Sequence, residues 1–189
     1  MRVAAKQFEQ GSFFHIYNHA AQGMDLFRDE ADYSLCMSMI SLYLKSDDFT
    51  VASFCLMPNH YHFLIRQNAD CPIYYIMNKI WFRYSKYLNK KYRGRGSVFA
   101  AKAQHKWVDQ EAYLLFLIAY IHLNPVAAGL VSNPADWEWS NFREWAGTRD
   151  SAPFDQTLLQ NTYYNIDEYS KTLEGIIAER QLQAYLLDG

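Results

Sequence analysis

Thr50-Val51-Ala52-Ser53-Phe54-Cys55-Leu56-Met57-Pro58-Asn59-His60-Tyr61-His62-Phe63-Leu64-Ile65 decides the fold. Its two apolar runs, Thr50 to Met57 and Tyr61 to Ile65, are rich in β-branched and aromatic residues and read as strands. Pro58-Asn59 between them is a turn signal, so the stretch is a hairpin. Upstream, Phe13-Phe14-His15-Ile16-Tyr17-Asn18-His19 reads as another strand, with Gly23 in the turn region after it. The spacing of Tyr33, Cys36, Met37, Ile40 and Leu44 predicts a helix over about Glu30 to Lys45.

Downstream, a long basic helix is expected from about Pro72, which suits a first turn, to Lys91. Arg93-Gly94-Arg95-Gly96-Ser97 then forms a flexible loop, and Val98 to Val108 supplies a fourth strand. Asp109 is read as the N-cap of a helix continuing to Asn124, where Pro125 limits it because the residue before proline disfavours αR geometry. The order β-α-β-β-α-β followed by a further helix is the α+β, ferredoxin-like arrangement: an antiparallel sheet with two helices on one face. That fold hosts many activities, so function has to come from a site.

The 189 residues suffice for one domain with a sizeable core and a C-terminal appendage. Residues 1 to 145 are read as that domain. Residues 146 to 189 are read as a linker around Gly147 to Pro153 and a helical extension, Asp167 to Leu187, packed on it. No leader-like apolar stretch or membrane span is evident, so a cytoplasmic protein that does not engage a membrane is expected. Cys36, Cys55 and Cys71 lack the spacing of a disulfide framework or zinc knuckle and read as small hydrophobes.

The net charge of -2 hides a strong asymmetry. Nine cations, Lys79, Arg83, Lys86, Lys90, Lys91, Arg93, Arg95, Lys102 and Lys106, fall in a segment with no acid between Asp70 and Asp109. Such a block points to a polyanion surface, because each phosphate neutralised releases condensed counterions. Trp81, Phe82, Tyr84, Tyr87 and Tyr92 interleave with it and offer faces for unpaired bases, although some must serve the core at helical spacing. A solvated helix face is the alternative.

Two short patterns carry chemistry. His60 and His62 alternate on a strand and so face one side, where two neutral imidazoles can bind a divalent cation. Tyr120 and Asn124 stand four apart on a helix and project together. Each pattern also has a bland reading: paired strand histidines, and a core stripe of Tyr113, Phe116, Tyr120 and Leu123.

Taken together, Met57-Pro58-Asn59-His60-Tyr61-His62-Phe63-Leu64-Ile65 and Tyr120-Ile121-His122-Leu123-Asn124-Pro125-Val126-Ala127-Ala128-Gly129-Leu130-Val131 resemble the REP-associated tyrosine transposases, bacterial relatives of the single-tyrosine HUH transposases. Phe14-His15-Ile16-Tyr17-Asn18, Gly96-Ser97-Val98-Phe99 and Trp137-Glu138-Trp139-Ser140 extend the likeness, which covers about residues 7 to 145. The usual tryptophan-x-glycine-arginine-phenylalanine run is replaced here by Val98-Phe99-Ala100-Ala101-Lys102-Ala103.

The resemblance implies that Tyr120 is a nucleophile and that His60 and His62 are metal ligands, with Asn124 at the position of a third, polar ligand. It implies Mg2+ or Mn2+ as the ion, a 5′-phosphotyrosyl intermediate, and single-stranded or hairpin DNA as the partner, acted on by a monomer or homodimer. His15 and His19 are expected to support the site rather than ligate. His122 should point away from it, His105 is placed near phosphate, and Asn59 is read as shaping the turn. Two other readings stand beside this one: a non-catalytic hairpin-binding regulator, and a related relaxase or replication initiator.

Overall fold

In the computed structural model the residues described are 9–44, 48–149, 169, 171–176 and 178–179. Four strands, β1 (Phe13–His19), β2 (Phe49–Met57), β3 (His60–Gln67) and β4 (Gln104–Val108), form one sheet in the order β2-β3-β1-β4. Every neighbouring pair is antiparallel, which gives the α+β, ferredoxin-like arrangement expected from the element order. The helices are α1 (Glu30–Tyr43), α2 (Ile73–Lys91), α3 (Glu111–His122) and the short α4 (Asn124–Ala127) and α5 (Phe142–Trp145). None of the described helices is long and apolar enough to cross a membrane.

Strand alternation sends side chains to two separate cores. Phe14 and Ile16 of β1, Phe54 and Leu56 of β2, and Tyr61, Phe63 and Ile65 of β3 pack beneath α1 and α2. The opposite face meets α3: Ala52, Cys55, Met57 and Leu64 pack with Leu117, Ile118, Ile121, Trp145, Tyr169, Leu173 and Ile176. The sheet is thus covered on both faces, and this explains why β2 and β3 read as nearly unbroken apolar runs. Of the expected C-terminal helix, Ile177, Leu182, Leu186 and Leu187 lie outside the described residues, as does Lys45 at the end of α1.

A bulge at Ala52 sets which β2 side chains face α3. Val51 pairs with Ile65 and Ser53 with Leu64, leaving Ala52 as the extra residue. Its carbonyl accepts from Asn141 Nδ2 at 3.1 Å and Trp145 Nε1 at 2.7 Å. The 137–145 segment also closes the β2 edge: Leu56 N–H donates to the Trp139 carbonyl at 2.8 Å, and Phe54 N–H to Asn141 Oδ1 at 2.7 Å. Trp139 stacks on Tyr33, so its ring anchors α1 as well.

Three boundaries differ from the sequence reading. The fourth strand begins at Gln104, because residues 98–103 run as a loop tied to the end of β1 by an isolated bridge between Ala20 and Phe99 and by the Asn18 side chain, which donates to the Ala101 carbonyl at 3.0 Å. The N-cap of α3 is Gln110, without a side-chain hydrogen bond, and not Asp109. Helix α3 closes at His122, and Asn124 opens α4 with Pro125 in its first turn, where the missing N–H costs no helical bond.

Candidate active site

The sheet brings four imidazoles to the α3 side. β1 and β3 pair so that Tyr17 faces His62 and His19 faces His60, and His15 sits diagonally to His62. His15, Tyr17, His19, His60 and His62 line an open cleft of about 360 Å³ with Lys106 of β4 and with Tyr113, Phe116, Leu117, Tyr120 and Asn124 from the α3 side. The two patterns some sixty residues apart in sequence therefore share one cleft. Tyr120 is half-buried rather than sealed in the core. Its ring meets the His62 ring edge-on, with centroids 6.1 Å apart, and stacks on Phe116 one turn earlier.

Neighbouring groups direct the polar atoms of His60, His62 and Asn124, each differently. His60 Nδ1 bonds Asn59 Oδ1 at 2.7 Å, which makes Nδ1 the protonated nitrogen and leaves the Nε2 lone pair. His62 Nδ1 and His15 Nε2 share a proton at 2.9 Å. The Asn124 amide nitrogen is spent on the Tyr120 and Ile121 carbonyls, at 3.0 and 3.3 Å, so its oxygen is the atom left to act, and His60 lies beside it. Burial pushes His60 down to about 4, with His19 adding to the effect and Asn124 opposing it. Burial, then the neighbouring His15, His60 and His19, push His62 down to about 2. Burial and Lys106 push His15 down to about 4. His15, His60 and His62 are therefore neutral at pH 7, the form that ligates a cation.

Among the described residues, no group of three or more His, Cys, Asp or Glu side chains is arranged around a common point. Two neutral imidazoles, His60 and His62, and the amide oxygen of Asn124 are the groups at the cleft that could hold a divalent cation. Such a set leaves coordination positions for phosphate oxygens and forms no closed cage.

Sequence reasoning did not find that Asn59 orients His60, nor that His15 pairs with His62. An Asn directly before His-x-His is the one available signal for the first. His122 points away from the cleft, as its spacing from Tyr120 implies. It is fully buried, with Nε2 2.9 Å from Asn141 Oδ1 and 3.1 Å from Ser53 Oγ, and Nδ1 bonded to the Tyr169 hydroxyl.

Burial holds His122 down at about 4, with Asn141 opposing. Because an unfolded histidine titrates near about 6.5, the unfolded chain binds the proton first as pH falls. Stability should be complete above about pH 6.5 and decline from there toward about pH 4, by roughly 1.4 kcal/mol per pH unit for each such imidazole. Urea midpoints measured between pH 7 and pH 4.5 check this, and a His122→Gln variant should show a shallower decline than the parent.

The basic residues divide between the two faces. Lys106 lies at the cleft, its Nζ 5.5 Å from the Tyr17 ring centroid. Lys79, Arg83, Lys86 and Lys90 belong to α2, which covers the other face of the sheet, and Arg93 and Arg95 lie in the loop that follows it. Lys79 and Arg83 lie over the Tyr43 ring of α1. Lys91 is committed internally: Nζ contacts Asp29 and Asp32 at 2.7 Å each, and the Tyr92 hydroxyl donates to Asp32 at 2.7 Å.

The family model of the IS200-like transposases matches residues 13–122, from the start of β1 to the end of α3. The chain belongs to the IS200-like transposase family. No curated protein matches it in sequence. Among solved structures, this IS200-like transposase is similar to a REP-associated tyrosine transposase bound to a REP hairpin, at a TM-score of 0.58 and 15% identity. The match covers 82% of this chain and 98% of that one, and at this identity it speaks for the shared fold.

Proposed function

We propose that this transposase cuts and rejoins single-stranded DNA beside a hairpin through a covalent bond to Tyr120. The observation that carries this reading is the convergence of Tyr120, His60, His62 and Asn124 on one open cleft from two distant parts of the chain. In the forward step the Tyr120 oxygen bonds to phosphorus and the bond from phosphorus to the 3′ oxygen breaks. The phenol proton passes to solvent, the departing oxygen takes up a proton, and a 5′-phosphotyrosine and a free 3′-hydroxyl result. Attack by another 3′-hydroxyl reverses these events and joins strands without a nucleotide cofactor.

His60, His62 and Asn124 would hold Mg2+ or Mn2+, which supplies charge neutralisation at the phosphate oxygens. Asn59 and His15 fix the imidazole orientations, and Lys106 adds a cation at the rim of the cleft. The α2 and loop cations other than Lys91 supply phosphate contacts for the hairpin, since Lys91 would have to exchange two carboxylates for a phosphate.

The test is incubation with hairpin oligonucleotides carrying single-stranded flanks, taken from repeats beside the gene, with manganese or magnesium. A denaturing gel should show a protein-linked fragment whose peptide map contains Tyr120. Chelation with EDTA should remove that adduct and leave hairpin binding in place. Binding with no adduct under either metal would favour the hairpin-binding regulator, a reading supported by the separation of the α2 cations from the cleft.

A further inference from the structure

On the α2 side of the sheet a second recess runs between α2 and the 97–105 segment. One part, of about 190 Å³, is lined by Tyr61, Trp81, Phe82, Phe99 and Lys102 among others. The adjoining part, of about 390 Å³, is lined by Tyr74, Asn78, Lys102, Ala103 and His105. The two parts share Asn78, Lys102 and Ala103, so they form one groove.

Its chemistry differs from that of a packing defect. Trp81 is 5% exposed, yet among the described residues its Nε1 has no hydrogen-bond partner, and neither has His105 Nε2. The Tyr61 hydroxyl is buried in the same part of the groove as Trp81, with the Asn18 side chain next to it. An unsatisfied buried donor costs roughly 1–3 kcal/mol, so the Trp81 N–H, with the unpartnered His105 nitrogen lining the same groove, calls for a ligand that completes it. The walls are aromatic: Tyr61 and Trp81 stack at 3.8 Å, and Phe99 meets both edge-on. Phe82 is 62% exposed at the mouth, with Lys86 Nζ 4.5 Å from its ring centroid. Asn78, Phe82 and Ser85 fall on one helical stripe, so α2 presents an amide, a ring and a hydroxyl in line.

We infer that this groove holds one unpaired nucleotide of the bound DNA, its base against Phe82 and Phe99, its polar edge toward Asn78 and Trp81, and its phosphate at Lys102. This rests on the DNA-processing reading above. Strand β4 supplies the link between the two sites. It is an edge strand, and His105 pairs with Ile16 on the α2 side while Lys106 pairs with His15 on the cleft side. A single strand crossing this edge passes from His105 and Lys102 to Lys106, so one nucleotide is gripped while a phosphate further along reaches Tyr120. Base stacking on aromatic side chains is sequence-tolerant and strong enough to fix register.

The experiment is photocrosslinking of the full chain to randomised single-stranded DNA carrying 5-iododeoxyuridine, in EDTA, followed by peptide mapping. Affinity for the same DNA is measured for Phe82→Ala and Lys102→Ala, both at exposed positions where substitution spares the fold. Crosslinks at Phe82, Trp81, Phe99 or Tyr74, with affinity about tenfold lower in Phe82→Ala, are expected. Crosslinks confined to Tyr17, Tyr113 or Phe116, or unchanged affinity in both variants, would overturn the inference while leaving the Tyr120 adduct to stand. Groove crosslinks in a protein that never forms the adduct would uphold the groove and remove the cleavage reading.

Discussion

Tyr120→Phe is expected to abolish the covalent protein–DNA adduct, lowering its yield by at least about a thousandfold, with hairpin affinity changed by less than about threefold. The substitution removes one oxygen and keeps the ring. That ring stacks on Phe116 and meets the edge of His62, contacts a phenylalanine reproduces, so α3 and the cleft keep their shape. Binding is expected to persist because the α2 cations lie on the other face of the sheet. Quantifying adduct on denaturing gels and hairpin binding by titration separates the two effects. An undiminished adduct would transfer the nucleophile role to another tyrosine at the cleft, with Tyr113 and Tyr17 the candidates.

Alanine at His62 should act more broadly. It removes a cleft imidazole and leaves His15 Nε2 without its partner, so both metal affinity and the packing of β1 against β3 should suffer. His15→Asn, which spares the proposed ligands themselves, should reduce adduct yield about tenfold to a hundredfold at fixed manganese and recover part of it at higher manganese. A loss that manganese does not relieve would place His15 in folding alone.

The sheet was legible because strands and helices write different periods. The hairpin around Pro58-Asn59 and the alternation of His60 and His62 fixed both the fold and one half of the site. The stretch from Val98 to Ala103 misled because its apolar residues resemble a strand, but after Gly96 and Ser97 only Phe99 pairs, with Ala20. In Thr50 to Met57 almost every residue is apolar, so no pattern of polarity reveals the bulge at Ala52 or the face each side chain takes. Counting charge along the chain also missed the counterions of Lys91, because Asp29 and Asp32 are contributed by the start of α1. For the same reason the nine cations read as one surface, whereas the sheet separates Lys106 from the cations of α2. His15 was recognisable as a supporting residue, but its pairing with His62 depends on strand register, which local sequence does not encode.

The second large effect lies behind the helix that carries Tyr120 rather than in the cleft. Trp145→Ala should destabilise the protein by about 3–5 kcal/mol, since the ring is fully buried and its removal opens a cavity between β2 and α3. The indole also donates to the Ala52 carbonyl, which the bulge withdraws from the strand ladder. Asn141 still donates to that carbonyl in the variant, so lost packing dominates over the lost hydrogen bond. Trp145→Phe keeps most of the volume and should cost only about 1–2 kcal/mol. Against the total of about 5–15 kcal/mol for a domain, the alanine variant loses a large share of its stability. Because the same cluster holds Leu117, Ile118 and Ile121 of α3, loosening it frees the helix that carries Tyr120. Adduct formation by Trp145→Ala should therefore fall steeply on warming and recover on cooling, whereas Tyr120→Phe should form no adduct at any temperature. Urea midpoints for the two tryptophan variants, measured beside adduct yield across temperature, decide the matter: equal midpoints for parent and Trp145→Ala would mean that α3 is held by something other than this core.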